Sequence, residues 1–274
     1  MSRKFLDGGS MFRLRRREPE VSDQLAASWW NENGYVQLQR NLVNPWRIRY
    51  FSQVLQLHYG TKLKTKKLLD LGCGVGVLAE DLVPLRCSIY GIDFSQEEIA
   101  VADHRAQALD LPVGYQRGSL SRLPFPDEAF DIVTCTDTLE HIADWEAVLS
   151  EAHRVLAPDG LFLFSTINRT LKSYFQVILA AEKFPLTRIF PKSTHSWKKF
   201  IRPNEIKQVL ADCGFEPHEM VGSQFDHSLP YLITQVIKFK NLTISAHEFG
   251  KRIQLEPSYS VRLNYMGYAA KVKG

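Results

Sequence analysis

One stretch constrains this chain more than any other: Lys67–Gly76, reading KLLDLGCGVG. A short apolar run (Leu68, Leu69, Leu71) ends in glycines at alternate positions, Gly72, Gly74 and Gly76, and an amphipathic run, Val77–Val83, comes next. That succession reads as a buried strand, a tight turn and a helix start. Glycine there admits positive φ and lets a ligand approach the main chain, while the helix behind offers unpaired N–H groups and a partial positive charge. A second apolar run, Ser88–Ile92, ends at Asp93. An acid at the end of the second strand is where one carboxylate can bind both hydroxyls of a nucleotide ribose. The dinucleotide fingerprint G-x-G-x-x-G fails, because the third residue after Gly74 is Val77. Three readings remain: a turn for a different nucleotide-bearing ligand, a tight βα turn with no ligand and, last, a dinucleotide turn of the dehydrogenase kind.

The same alternation continues downstream. A helix is predicted over Gln96–Leu109, a strand over Val113–Arg117, and a further strand over Phe130–Cys135 after a proline-rich turn (Pro124, Pro126). Trp145–Leu156 is amphipathic, Pro158-Asp159-Gly160 is a turn signal, and Leu161–Ile167 is an apolar fifth strand. Strand–helix repeats of this kind imply a doubly wound parallel sheet. Thr136–Ile142 then falls at the C-terminal edge of the fourth strand, where open α/β sheets place their ligands. If it starts a helix, Asp137, Glu140 and His141 at i, i+3 and i+4 share one face. Three roles fit that face: two carboxylates and an imidazole holding a divalent cation, His141 alone as a base, or acids capping the helix with His141 merely packed. Ahead of the sheet, Ala26–Phe51 concentrates Trp29, Trp30, Tyr35 and Trp46, with a turn at Asn44-Pro45 and a helix over Trp46–Leu57. This is a helical cap, in which Arg47 either packs or pairs with a cofactor carboxylate.

After the fifth strand the pattern breaks. Thr170–Arg202 holds an apolar-aromatic run (Tyr174–Ala181, then Phe184) succeeded by Lys192, His195, Lys198, Lys199 and Arg202. Such an insert reads as a plain lid of helices, or as a face for anionic lipids. Arg202–Gly214 returns to a helix, Phe215 begins a strand, and Tyr265–Val272 is a last one. The expected organisation is a flexible basic tail over residues 1–25 and one domain over 26–274, with the insert at about 170–202. Asp7, Glu18 and Glu20 argue against a mitochondrial targeting segment within the arginine-rich tail. A net charge of +4 is too small to argue for nucleic acid, and no nucleic-acid-binding motif is present. Cys73, Cys87, Cys135 and Cys213 form no C-x-x-C pair, which suggests reduced thiols in a reducing compartment. No apolar run is long enough to span a bilayer, and the absence of an apolar h-region argues against secretion.

Taken in order, the motifs are WW-x-x-x-G (Trp29, Trp30, Gly34), N-P-x-R (Asn44, Pro45, Arg47), LLDLGCGVG, GID, TCTDTLEH, FSTINRT and K-x-T-H-x-x-KKFIRP. LDLGCG and LEH alone occur across many class I S-adenosylmethionine (SAM) methyltransferases. The N-P-x-R turn, STINRT and K-x-T-H-x-x-KKF are more specific, and the set resembles the ubiquinone-biosynthesis O-methyltransferases from Trp29 to about Arg202, resuming at Leu263–Met266. The resemblance implies a Rossmann-like doubly wound, mostly parallel seven-stranded sheet with an N-terminal helical cap and a helical lid after strand five. It implies SAM as cofactor, contacted by Arg47, Gly72, Asp93 and Thr136. Asp70 and the glycine loop, including Gly74 and Gly76, would hold the methionine end and Asp93 the ribose, and Ser119 and Leu120 would edge the adenine through their backbone. The family's Mg²⁺ site would fall on Asp137, Glu140 and His141, although the family has glutamate where this chain has Asp137; His141 is also the candidate base. The implied substrate is a lipophilic polyprenylated hydroxyphenol or catechol, with a membrane surface and a quinone-biosynthesis complex as further partners. The implied location is cytoplasmic or peripheral on the inner membrane, on the matrix side in a eukaryote. A methyltransferase for another small-molecule or lipid acceptor, and a catalytically silent assembly partner, are the competing expectations. Residues Ser223–Ser260 match nothing in that family's pattern.

Overall fold

The apolar runs become the parallel half of one sheet: β1 (Lys67–Leu71), β2 (Ser88–Asp93), β3 (Val113–Arg117), β4 (Phe130–Thr136) and β5 (Leu156–Ile167), ordered β3-β2-β1-β4-β5. The computed structural model describes residues 29–190, 192–225 and 227–272; the expected basic tail of residues 1–25 lies outside them. Strands covered on both faces must be apolar on both, and β1 shows how the alternation divides them. Leu68 joins Ile89, Ile132 and Leu161 in one core, whereas Leu69 and Leu71 join Val133, Cys135, Phe162 and Phe164 in the other. The first core is covered by α1 (Asn44–Tyr59), α2 (Val77–Leu82) and α3 (Gln96–Ala108). The second is covered by α4 (Trp145–Val155) and α5 (Pro203–Asp212).

The other half of the sheet is antiparallel. β8 (Asn264–Lys271) lies against β5, β6 (Phe215–Phe225) against β8, and β7 (Leu255–Ser258) against β6 at the edge. Among the described residues the sheet therefore has eight strands and not the seven expected. β7 is four residues long and contains Pro257, which only an edge strand or a bulge accommodates, so periodicity gave it no signal. Between β6 and β7 the chain forms α6 (Leu229–Lys240) and α7 (Ala246–Arg252).

The turn expected at Pro158-Asp159-Gly160 is inside β5. The ladder steps from Phe130 opposite Leu156 to Ile132 opposite Leu161, and Asp159 takes φ 62°, so residues 157–160 bulge from an otherwise continuous strand. The segment after β5 is helical but irregular: Leu171–Ser173, a wide helix over Tyr174–Lys183 and a single turn at Trp197–Lys199. Since β1 pairs with β2 on one side and β4 on the other, the chain's direction of winding reverses there, and the crevice opens at the C-terminal ends of these strands.

Candidate functional site

β1 delivers the chain into a turn where Gly72, Gly74 and Gly76 take φ of 72°, 52° and 85°, a region closed to most side chains. At Gly72 a Cβ would stand 2.4 Å from the Thr138 side chain, so the loop meets the exit of β4 without room for a methyl group. The N–H groups of Gly72 and Cys73 donate to the Ile92 carbonyl at 2.8 and 3.2 Å, tying the loop to the end of β2. Asp93, 5% exposed, accepts from Gly74 N at 3.0 Å and from Ser95 N at 2.9 Å, one on each carboxylate oxygen. Each oxygen keeps a further lone pair for a hydroxyl donor. Beside it a groove of about 630 Å³ is lined by Phe94, Gly118, Ser119, Leu120 and Ile142. That lies within the size range of small-molecule pockets, and Ser119 and Leu120, the expected adenine contacts, are among its lining residues.

Asp70 is buried in β1 and accepts from Thr134 Oγ1 at 2.7 Å. Burial pushes its carboxyl up to about 7, with the Thr134 hydrogen bond and the Arg47 charge opposing. Arg47 comes from α1 and is 3% exposed. Its Nη1 donates to Asn44 Oδ1 at 2.8 Å, and its Nη2 to Asp137 Oδ2 at 2.6 Å and Ser165 Oγ at 3.1 Å. Ser165 Oγ in turn donates to Asp137 Oδ1 at 2.9 Å. Burial opposes ionisation of Asp137, but the Arg47 charge and these hydrogen bonds outweigh it and hold the carboxyl below its usual range. One buried donor is left over: Arg47 Nε has no partner among the described residues. An orphaned guanidinium N–H, a buried acid with a lone pair left on each oxygen and an adjacent groove fit SAM, whose carboxylate the cation suits.

The expected metal triad does not form. Thr136–Ile142 is not the start of an α-helix: Asp137 takes φ 51° and only Leu139–His141 closes a single 3-10 turn, so the shared face that spacing i, i+3, i+4 required is absent. Both Asp137 oxygens are engaged by Arg47 and Ser165. Glu140 is buried, with Thr166 Oγ1 donating to Oε2 at 2.7 Å and Oε1 without a partner among the described residues; burial, then the Asp137 charge, push its carboxyl up. His141 turns its ring to His195, with centroids 5.2 Å apart; partial desolvation and then His195 draw its pKa down. Among the described residues no cluster of three such side chains is placed to hold a metal ion. The donors present do not fit Mg²⁺ at Asp137, Glu140 and His141. Thr136 ends β4 opposite Ser165, and its carbonyl accepts from Thr138 Oγ1 at 2.9 Å.

Ser165, Thr166 and Glu182 join this site without having been singled out by spacing, and Tyr35 joins it from the aromatic cap. Ser165 and Thr166 belong to the FSTINRT stretch, whose polar break in an apolar strand was the available signal. Tyr35 accepts from Gln39 Nε2 at 2.7 Å and packs edge-on to Phe190 at 5.6 Å. Burial of its hydroxyl end, then the charges of Asp137 and Glu140, push its pKa up. Glu182 is a lone acid in an apolar run and gave no signal.

A family model described as a methyltransferase domain matches residues 69–164, the span from β1 to β5. The ubiquinone biosynthesis O-methyltransferase of Azorhizobium caulinodans is 35% identical over 210 residues, covering 74% of this chain and 82% of that protein. The protein of the same name from Actinobacillus pleuropneumoniae serotype 7 is 34% identical over 221 residues, covering 79% of this chain and 91% of its own. A SAM-dependent methyltransferase from Aquifex aeolicus superimposes with a TM-score of 0.55 at 17% identity, over 90% of this chain and 98% of that one, a likeness of fold.

Proposed function

The chain belongs to the ubiquinone biosynthesis O-methyltransferase family, and from that membership we infer that it is a SAM-dependent O-methyltransferase that methylates a phenolic oxygen of a polyprenylated hydroxyphenol or catechol in ubiquinone biosynthesis. The observation that carries this is the match at 34% identity across 91% of a relative's length. It is joined by an intact glycine loop and Asp93 beside a groove within the size range of small-molecule pockets.

SAM, when bound, supplies an activated methyl group on a sulfonium sulfur. The chain's part is to hold and align. Asp93 and the backbone of the Gly72–Gly76 turn take the ribose and the adjoining chain of the cofactor, the Ser119–Leu120 groove takes the base, and Arg47 Nε faces the carboxylate. Asp137 and Ser165 fix the guanidinium so that this donor is oriented before binding, which lowers the ordering cost. Fixing methyl donor and acceptor in line removes the translational cost of their encounter.

A lipophilic acceptor needs a route from the bilayer. Among the described residues no helix is long and apolar enough to cross a membrane. The surface instead offers exposed Leu171, Phe175, Phe184 and Leu186 on the insert and exposed Leu229 on α6. The basic Lys192, Lys198, Lys199 and Arg202 are also exposed. Lys240 of α6 donates to the Pro185 carbonyl, which joins the two segments. This surface is suited to shallow, peripheral insertion at anionic lipids, with the lid as the acceptor's entry side. The functional assignment is tested by quinone profiling in a bacterial strain lacking its own O-methyltransferase for this pathway. Expression of this chain restores the methylated quinone; continued accumulation of the hydroxylated precursor, with the chain expressed and folded, contradicts it.

A further inference from the structure

A phenol of ordinary pKa near 10 is almost wholly protonated at neutral pH, and its oxygen attacks a methyl carbon far better once the proton has a place to go. The insert carries an arrangement suited to that task. Glu182, 1% exposed on the wide helix Tyr174–Lys183, accepts two hydrogen bonds on Oε1: from His195 N at 3.0 Å, and from His195 Nδ1 at 2.5 Å. The His195 side chain is 6% exposed. Its ring lies 5.2 Å from His141, 5.5 Å from Phe190 and 6.0 Å from Phe200, so it bridges the insert and the turn at the end of β4. With Nδ1 donating to a buried carboxylate, the tautomer is fixed and Nε2 carries the free lone pair. The same carboxylate keeps the ring oriented while Nε2 takes a proton. His141, by contrast, is exposed, and no carboxylate hydrogen-bonds its ring among the described residues.

We propose that His195, oriented by Glu182, is the base that accepts the acceptor's phenolic proton, and that Glu182 is its positioning residue. The proposal rests on the O-methylation reading above. The phenolic O–H gives its proton to His195 Nε2, and the oxygen lone pair forms the new bond to the methyl carbon. The electron pair of the broken C–S bond stays on sulfur, and His195 returns its proton to solvent after product leaves. The insert then does more than cover the acceptor, since closing it completes the site. The titratable groups around His195 are Glu182 on the insert helix, His141 on the β4 turn, Asp137 at the end of β4, and Lys199 beside His141.

The test uses the full chain, SAM and a short-chain prenylated catechol, with kcat and KM measured from pH 6 to 10 for wild type, His195→Gln, Glu182→Gln and His141→Gln, each after EDTA treatment. S-adenosylhomocysteine binding by calorimetry certifies folding of each variant. Near neutral pH, His195→Gln loses 10²–10⁴-fold in kcat and Glu182→Gln about 10–100-fold. KM and S-adenosylhomocysteine affinity stay within about twofold, and both deficits shrink as pH rises toward the phenol's own pKa. A purely structural role would lower stability without that pH-dependent recovery. Should His195→Gln fail to fold, Glu182→Gln alone decides. Wild-type turnover with both variants at full kcat overturns the proposal, as does a large loss confined to His141→Gln, or a chelator-induced loss that Mg²⁺ restores. Absence of any methyl transfer by the wild type overturns the O-methylation reading itself, and the base with it.

Discussion

Three carboxylates at the crevice differ in charge economy although all three are acids beside β1 and β4. Asp93 is held by two backbone N–H groups and is the proposed ribose anchor, so Asp93→Ala removes the two charge-assisted hydrogen bonds proposed to the ribose hydroxyls, at roughly 1.5–3 kcal/mol each. Calorimetric titration of the folded variant with S-adenosylhomocysteine is expected to show affinity reduced a hundredfold or more; unchanged affinity removes the assignment. Asp137 is held ionised by Arg47, and Asp137→Asn keeps the shape and the tolerance for φ 51° while leaving a buried guanidinium unbalanced. The cost is about 1–3 kcal/mol, below that of a fully buried pair because the Asp137 side chain is 31% exposed. Its depressed pKa means that this stability is present above the unfolded value near 4 and disappears as pH falls through the folded one, so the two unfolding curves converge in acid. Asp70 has the opposite sign. Its carboxyl is pushed up to about 7, so its contribution is complete below the unfolded value near 4 and is lost as pH rises through about 7. Asp70→Asn, which keeps an acceptor for Thr134, is expected to flatten the fall in melting temperature between about pH 4 and 7; an unchanged slope contradicts the shift.

At the scale of elements, strands with long apolar runs were legible and short or irregular pieces were not. β1 to β4 stand within a residue of their expected bounds because burial on both faces demands near-continuous apolar sequence. The condition set for Thr136–Ile142 is not met: i, i+3, i+4 spacing has meaning only on an α-helix, and the left-handed Asp137 breaks the chain before one can begin. That single residue converts a candidate metal triad into an Arg47 ion pair, a buried Glu140 and an outward His141. Nothing local in the sequence announces it, since aspartate is one of the few side chains that tolerates the left-handed region. The insert was legible as helical, apolar and basic, but its inward-facing pair was not, because Glu182 and His195 are 13 residues apart with no periodic relation. Its outward face carries the membrane proposal. Changing Lys192, Lys198, Lys199 and Arg202 together to glutamine is expected to cut sedimentation with anionic vesicles, each charge contributing about 1 kcal/mol near such a surface. Equal binding of the unmodified chain to neutral and anionic vesicles rules this out.

At the scale of the whole molecule, a crevice opens where the winding of the sheet reverses, and the insert after β5 is the proposed acceptor side. The strand–helix order from Lys67 to Ile167 was enough to imply the doubly wound half, because only right-handed crossovers connect such strands with helices on both faces. The antiparallel half was only partly readable. β6 begins at the expected Phe215 and β8 within a residue of the expected Tyr265, whereas β7, α6 and α7 occupy the stretch from Ser223 to Ser260 that matches no family pattern. Similarity in fold reaches methyltransferases at 17% identity, so the acceptor is a matter of the site and the family and not of the sheet. The most direct measurement is therefore chemical. The purified chain is incubated with methyl-labelled SAM and a prenylated catechol in detergent or vesicles, and the products are resolved by mass spectrometry with the methyl position fixed by fragmentation. The expected result is one label per turnover on a phenolic oxygen, with stoichiometric S-adenosylhomocysteine and no transfer by Asp93→Ala at limiting cofactor. A folded chain that binds S-adenosylhomocysteine yet leaves every prenylated phenol unlabelled would contradict it.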